Sequence, residues 1–197
     1  MGFTITRNEY NRATMPLFEP ITISTSRLTL RFLNEADLPS AYDIFSNPEV
    51  MRYWAYPAWT DPAQAQQWLS RIQDGYQTGD ALQLGIERDT DQILVGTCTL
   101  FQFHAASRRA EIGYALGRRY WGLGYMHEAL QALLQHAFDR LDLNRLEADI
   151  DPRNLASART LERLGFQREG YLRERWIVND EVSDTALYGL LRREWRR

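Results

Sequence analysis

Between Ala81 and Leu116 the chain carries three strand-like runs in succession, ALQLGIERD, ILVGTCTLFQF and RRAEIGYAL, the first two joined by the turn Asp89-Thr90-Asp91. Strands separated by so few residues can pair only as antiparallel neighbours. From Gly124 the period changes. Met126, Leu130, Leu133, Leu134, Ala137, Phe138 and Leu141 trace one broad apolar helix face. RLEADID at 145–151 then alternates as a strand again, so a helix links two strands that can run parallel. Hairpin-linked strands followed by a crossover exclude a helix bundle and a closed barrel, and leave an α/β (α+β) domain built on one mixed sheet.

The flanking segments fit that plan. RLTLRFL alternates through Leu28, Leu30 and Phe32 as a strand. A helix is expected to open near Asn34 and close before Pro48. Asp61, Pro62 and Gln64 read as an N-cap, a first-turn proline and a capping-box partner. Ala65, Trp68, Leu69, Ile72 and Tyr76 follow at helical spacing up to Gly79. NLASARTLERLGF is a short helix with Asn154 as N-cap and Gly165 at the C-cap. GYLRERWIV and VSDTALYGLL close the chain as two strands around Asn179-Asp180. Residues 1–24 lack periodicity and are expected to form an extended arm, with 25–197 as a single domain.

Composition bounds the partners. The 197 residues are 44% apolar and 25% charged, enough for one core without metal or disulfide support. A formal net charge of -3 argues against nucleic acid as the main partner. No apolar run approaches the roughly 18 residues that would cross a bilayer. The single cysteine, Cys98, excludes an internal disulfide, and with no leader-like N-terminus the expected setting is cytoplasmic. His104, His127 and His136 show no ligand spacing with each other or with Cys98, so no metal site is expected.

The stretch RRYWGLGYM at 118–126 lies between the third strand and the long helix. Gly122 and Gly124 leave the main chain bare and permit a positive φ. The first turn of a helix offers unpaired N–H groups and a partial positive charge to an anion. Arg118 and Arg119 add formal charge, and together these features predict a pyrophosphate seat. The lysine-bearing phosphate loop GxxxxGK[ST] is absent, and GLGYMH lacks the last glycine of GxGxxG.

Arg119-x-x-Gly122-x-Gly124 after AEIGYAL, with NLASARTLERLGF about 30 residues later, resembles the GCN5-related N-acetyltransferases (GNAT). Within them it resembles the RimJ/RimL-type branch, and the resemblance runs from Arg27 to about Leu191. It implies a central, mostly antiparallel sheet flanked by about four helices, with a V-shaped splay between AEIGYAL and RLEADID. It also implies acetyl-CoA as co-substrate, its pantetheine arm on the main chain near Tyr114, Ala115 and Leu116. The pyrophosphate would rest on the turn from Arg118 and Arg119 through Gly122, Leu123 and Gly124 and on the helix start at Tyr125 and Met126. The implied activity is acetyl transfer to a primary amine, either a protein N-terminus or a small molecule. A homodimer fits the branch.

Such a reaction needs a route for the amine proton and an acid for the leaving thiolate. Glu111, the second residue of AEIGYAL, is the first candidate base. Burial beside the cofactor gap would raise its pKa, although an ion pair with Arg108 or Arg109 is the structural alternative. Ser157 is the candidate acid, as the branch implies, and Asn154 could reach the pantetheine arm. Both could equally serve only as helix-start residues, and Tyr114 and Tyr125 are reserve acids. Trp54, Tyr56 and Trp59 would form an acceptor wall or, alternatively, pack the first helices onto the sheet. The rival functions are a non-catalytic acyl-CoA sensor and a phosphotransfer protein.

Overall fold

In the computed structural model, which describes residues 18–196, the chain starts at the sheet. Thr22–Ser24 is a short edge strand, β1, paired antiparallel with β2 (Leu28–Arg31). The last part of the expected arm is therefore sheet, and residues 1–17 lie outside the described residues. Asn34 caps a 3-10 turn over Glu35–Asp37 that leads into α1 (Leu38–Phe45). The buried Asp37 carboxylate takes both arms of the Arg31 guanidinium at 2.8 Å, pinning that turn to β2.

Pro48 ends the first helix and also begins another. Asn47 caps it and the proline stands in the first turn of a one-turn helix, α2 (Pro48–Met51). Among the described residues the α-helices thus number five, against about four expected. The next, α3 (Ala63–Thr78), opens on the expected reciprocal cap: Asp61 accepts from the Ala63 amide, and Gln64 accepts from the Asp61 amide. Ala65, Trp68, Leu69, Ile72 and Tyr76 are all buried, and Gly79 closes the helix at φ 74°.

The middle strands are β3 (Ala81–Arg88), β4 (Ile93–His104) and β5 (Arg109–Leu116), each antiparallel to the one before. After a turn, α4 (Tyr125–Asp139) crosses to β6 (Arg145–Ile150), which runs parallel to β5. The α4 face from Met126 to Phe138 is buried as its spacing requires. Next comes α5 (Leu155–Arg163), ended by the expected Gly165 with the Phe166 amide reaching back to the Leu161 carbonyl. The chain finishes as a hairpin of β7 (Gln167–Val178) and β8 (Glu181–Leu191), turned at Asn179 and Asp180, both left-handed.

Among the described residues the sheet order is β1-β2-β3-β4-β5-β6-β8-β7, with β5–β6 the one parallel pair. That pair is short. It joins Arg109 to Arg145, Ala110 to Leu146 and Glu111 to Glu147, and then stops. Beyond Glu111, β5 stays bonded to β4 as far as Leu116, while β6 stays bonded to β8 as far as Ile150. Each strand follows its antiparallel neighbour, so a wedge opens in the middle of the sheet. This is the splay the resemblance implied.

Candidate functional site

The turn that leaves β5 lies at the mouth of the wedge. Gly122 and Gly124 hold φ of 76° and 80°, a region a side chain resists. A Cβ built at Gly122 would meet nothing within 4 Å, so the bare backbone faces open space rather than a packed neighbour. That is the shape a bulky anion needs to approach main-chain amides, and Tyr125 and Met126 begin α4 directly behind it. The Trp121 indole donates to the Leu116 carbonyl at 2.7 Å, fastening the turn to the end of β5.

Arg118 and Arg119 do not stand free around this turn. Arg118 donates to Glu49 at 2.8 Å and lies over the Trp121 ring, and Arg119 pairs with Asp43. Both are exposed pairs in which a diphosphate could replace the carboxylates at little cost. Two further cations, missed in the sequence, reach the same turn. Arg27 donates to the Leu123 carbonyl at 3.0 Å and sits 4.6 Å over Tyr125, and Arg88 lies over Tyr120. Distance along the chain hid them.

Ala115 is buried and Leu116 half-buried on the β5 edge that the wedge leaves without a β6 partner. Tyr114 hydrogen-bonds through its hydroxyl to Ser157 Oγ at 2.7 Å, across to the start of α5. Burial pushes the Tyr114 phenol up to about 12, so it stays protonated at neutral pH. Asn154 accepts from the Ser157 amide as an N-cap at 3.1 Å. The candidate acid and the reserve candidate therefore form one pair, with Ser157 buried at the base of the wedge.

Glu111 is half-buried on the other sheet face, opposite Phe101 on β4 and Glu147 on β6. The alternative of a structural ion pair does not hold among the described residues. Arg109 binds Glu147 at 2.7 Å and Arg108 binds Asp142 at 2.8 Å, so neither holds Glu111. Burial, helped by the negative charges of Asp149 and Glu147, raises the Glu111 carboxyl to about 7. A group poised there can accept a proton at neutral pH.

Beyond Glu111 a cavity of about 370 Å³ opens between the segment after α2 and the β6 and β7–β8 ends. Trp54 and Tyr56 line it, as expected of an acceptor wall. Trp59 does not. It is 6% exposed, packed against Phe45 and Trp68, because the chain turns inward there to start α3. Asp149, Asp151 and Trp176 also line it, with Arg52, Arg153 and Glu181 as further charged side chains, and sequence reading passed over them. A signal existed: Glu147, Asp149 and Asp151 alternate through RLEADID, and Glu147 and Asp149 share one face of β6. Among the described residues no group of three or more His, Cys, Asp or Glu is placed to hold a metal ion. No described helix is long and apolar enough to cross a membrane.

A sheet split beside a glycine turn, with a half-buried carboxylate on one strand, is the arrangement that the resemblance to the GCN5-related N-acetyltransferases implied. The acetyltransferase (GNAT) domain family matches residues 27–167, and the chain belongs to that family. It is 38% identical over 175 residues to p20 of Bacillus licheniformis, described as an uncharacterized N-acetyltransferase, covering 88% of this chain and 98% of that protein. It is 25% identical over 181 residues to the [Ribosomal protein uS5]-alanine N-acetyltransferase of Escherichia coli, covering 89% of this chain and 93% of the relative. The crystal structure of a GNAT-family acetyltransferase from Bacillus anthracis superposes with a TM-score of 0.79 at 26% identity, covering 88% of this chain and all of that one.

Proposed function

We propose that this enzyme moves the acetyl group of acetyl-CoA to a primary amine, of a protein N-terminus or a small molecule, by direct attack of the amine on the thioester. The observation that carries this reading is the wedge itself. Its unpaired β5 edge ends at a turn whose two left-handed glycines bare their amides, and an unpaired carboxylate with a pKa near 7 stands at its apex.

In this reading the diphosphate rests on the turn from Arg118 to Met126, exchanging the carboxylates of Glu49 and Asp43 for its own oxygens. The pantetheine arm follows the open β5 edge at Tyr114, Ala115 and Leu116. Glu111 takes the proton of the attacking amine, directly or through water. Ser157, held by the Tyr114 hydroxyl, donates toward the leaving thiolate. Trp54 and Tyr56 flank the acceptor. The similarity to an enzyme that acetylates the alanine of a ribosomal protein supports a peptide N-terminus as one acceptor class.

The test is acetyl-CoA-dependent thiol release against a panel of amines and short peptides with defined N-termini, with Glu111→Gln and Ser157→Ala alongside. Turnover of one acceptor class, with both variants reduced about tenfold or more, supports the reading. Absence of saturable acetyl-CoA binding refutes it.

A further inference from the structure

The carboxylates around the acceptor cavity fall into two groups. Glu147 is held by Arg109 at 2.7 Å and by Arg145 at 2.8 Å. Asp151 is held by Arg153, which also pairs with Glu181. Each of these charges is already neutralised within the fold. Asp149 is not. It is half-buried in the cavity wall, and among the described residues no cation lies within ion-pairing distance of it. Burial pushes its carboxyl above the usual range, against the charge of Arg175 and a hydrogen bond from the Trp176 indole.

Register places Asp149 where an acceptor must pass. Glu111 stands opposite Glu147, and Asp149 is the next residue on that face of β6, about 7 Å further along the strand. Strand β5 has splayed away by that point, so no β5 residue is paired opposite Asp149. Thr185, fully buried with a hydroxyl that has no hydrogen-bond partner, shares this sheet face by the alternation of β8. Trp54, Tyr56 and Trp176 supply aromatic surface around the same cavity. A partly desolvated anion with no ion pair is costly, and aromatic faces attract cations and apolar bodies alike.

We infer that Asp149 binds the acceptor's ammonium group, making this enzyme selective for cationic amines that carry an aromatic or apolar body. The inference rests on the acetyl-transfer reading above and names the acceptor class of that same site. Asp149 receives the charged amine against Trp54 and Trp176, and Glu111, deeper on the same face, then takes the proton before attack. Two carboxylates with two duties explain why the fold ion-pairs their neighbours and leaves these two without a salt bridge.

The experiment compares benzylammonium with its uncharged isostere benzyl alcohol, titrated into the full-length protein saturated with coenzyme A and followed by calorimetry and tryptophan fluorescence. The expected result is saturable binding of benzylammonium with a preference of about tenfold or more over benzyl alcohol. Asp149→Asn should reduce the preference to within about twofold, with coenzyme A affinity unchanged. Asp149→Ser serves if the asparagine variant does not fold. Equal binding of the two probes by the wild type, absence of saturable benzylammonium binding, or a preference that survives both substitutions overturns the inference. Failure of the acetyl-transfer reading would appear separately, as loss of coenzyme A binding or of thiol release in the wild type.

Discussion

Replacing Glu111 by Gln should move activity and stability in opposite directions. The carboxyl lies at about 7 in the folded chain against an ordinary 4.5. A raised folded value means that the folded chain binds more protons than the unfolded one between those limits. The group's contribution is therefore favourable at low pH and is lost as pH rises through 4.5 to about 7. That difference corresponds to about 3.4 kcal/mol above pH 7. The side chain is partly exposed, and solvent screening reduces the figure to roughly half, ~1.7 kcal/mol. Gln has no charge to desolvate. Glu111→Gln should therefore raise Tm by about 3–7 °C at about pH 8.5, with less than half that gain near pH 5.5. In the same variant kcat/KM should fall about 100-fold or more, and the acid limb that the wild-type rate shows near pH 7 should be lost. Thermal melts and thiol release across pH measure both. A gain in Tm independent of pH, or a loss at high pH, would refute the desolvated carboxylate. An unchanged kcat would refute the base.

Three further substitutions separate the parts of the site. Ser157→Ala removes the 2.7 Å partner of the buried Tyr114 hydroxyl, and should cost about 1–2 kcal/mol in urea unfolding and about tenfold in kcat with little change in KM. Gly122→Ala meets no neighbour but forces a methyl group onto a φ of 76°, so it should cost about 1–2 kcal/mol. It should also weaken coenzyme A binding about tenfold, read by calorimetry, because the methyl group occupies the space the diphosphate needs. Trp59→Ala should cost about 3–5 kcal/mol by denaturant unfolding, as a buried core truncation. Trp54→Ala should instead raise the acceptor KM with a smaller loss of stability, since Trp54 faces the cavity.

Much of this protein was determined by the sequence alone, wherever the deciding interaction is local. The α3 core stripe from Ala65 to Tyr76, the Asp61–Gln64 cap, the Gly165 helix end and the Asn179-Asp180 hairpin turn all follow from spacing of a few residues. The seat at Gly122 and Gly124 was legible for the same reason, since a strand end, two glycines and a helix start stand next to each other. Tertiary structure decided what pairing across the sheet decides. Arg109 could have held Glu111 or Glu147, and the parallel register gives it to Glu147, which leaves Glu111 free. Trp54 and Trp59 look equivalent in one aromatic run, yet the entry into α3 buries one and leaves the other at the cavity. Asp149 reads as one acidic residue of three on an alternating strand. Only the fold shows which of the three lacks an ion pair: Arg145 and Arg109 hold Glu147 and Arg153 holds Asp151, and whether such arginines reach a given carboxylate depends on the register and side-chain geometry that the sheet sets.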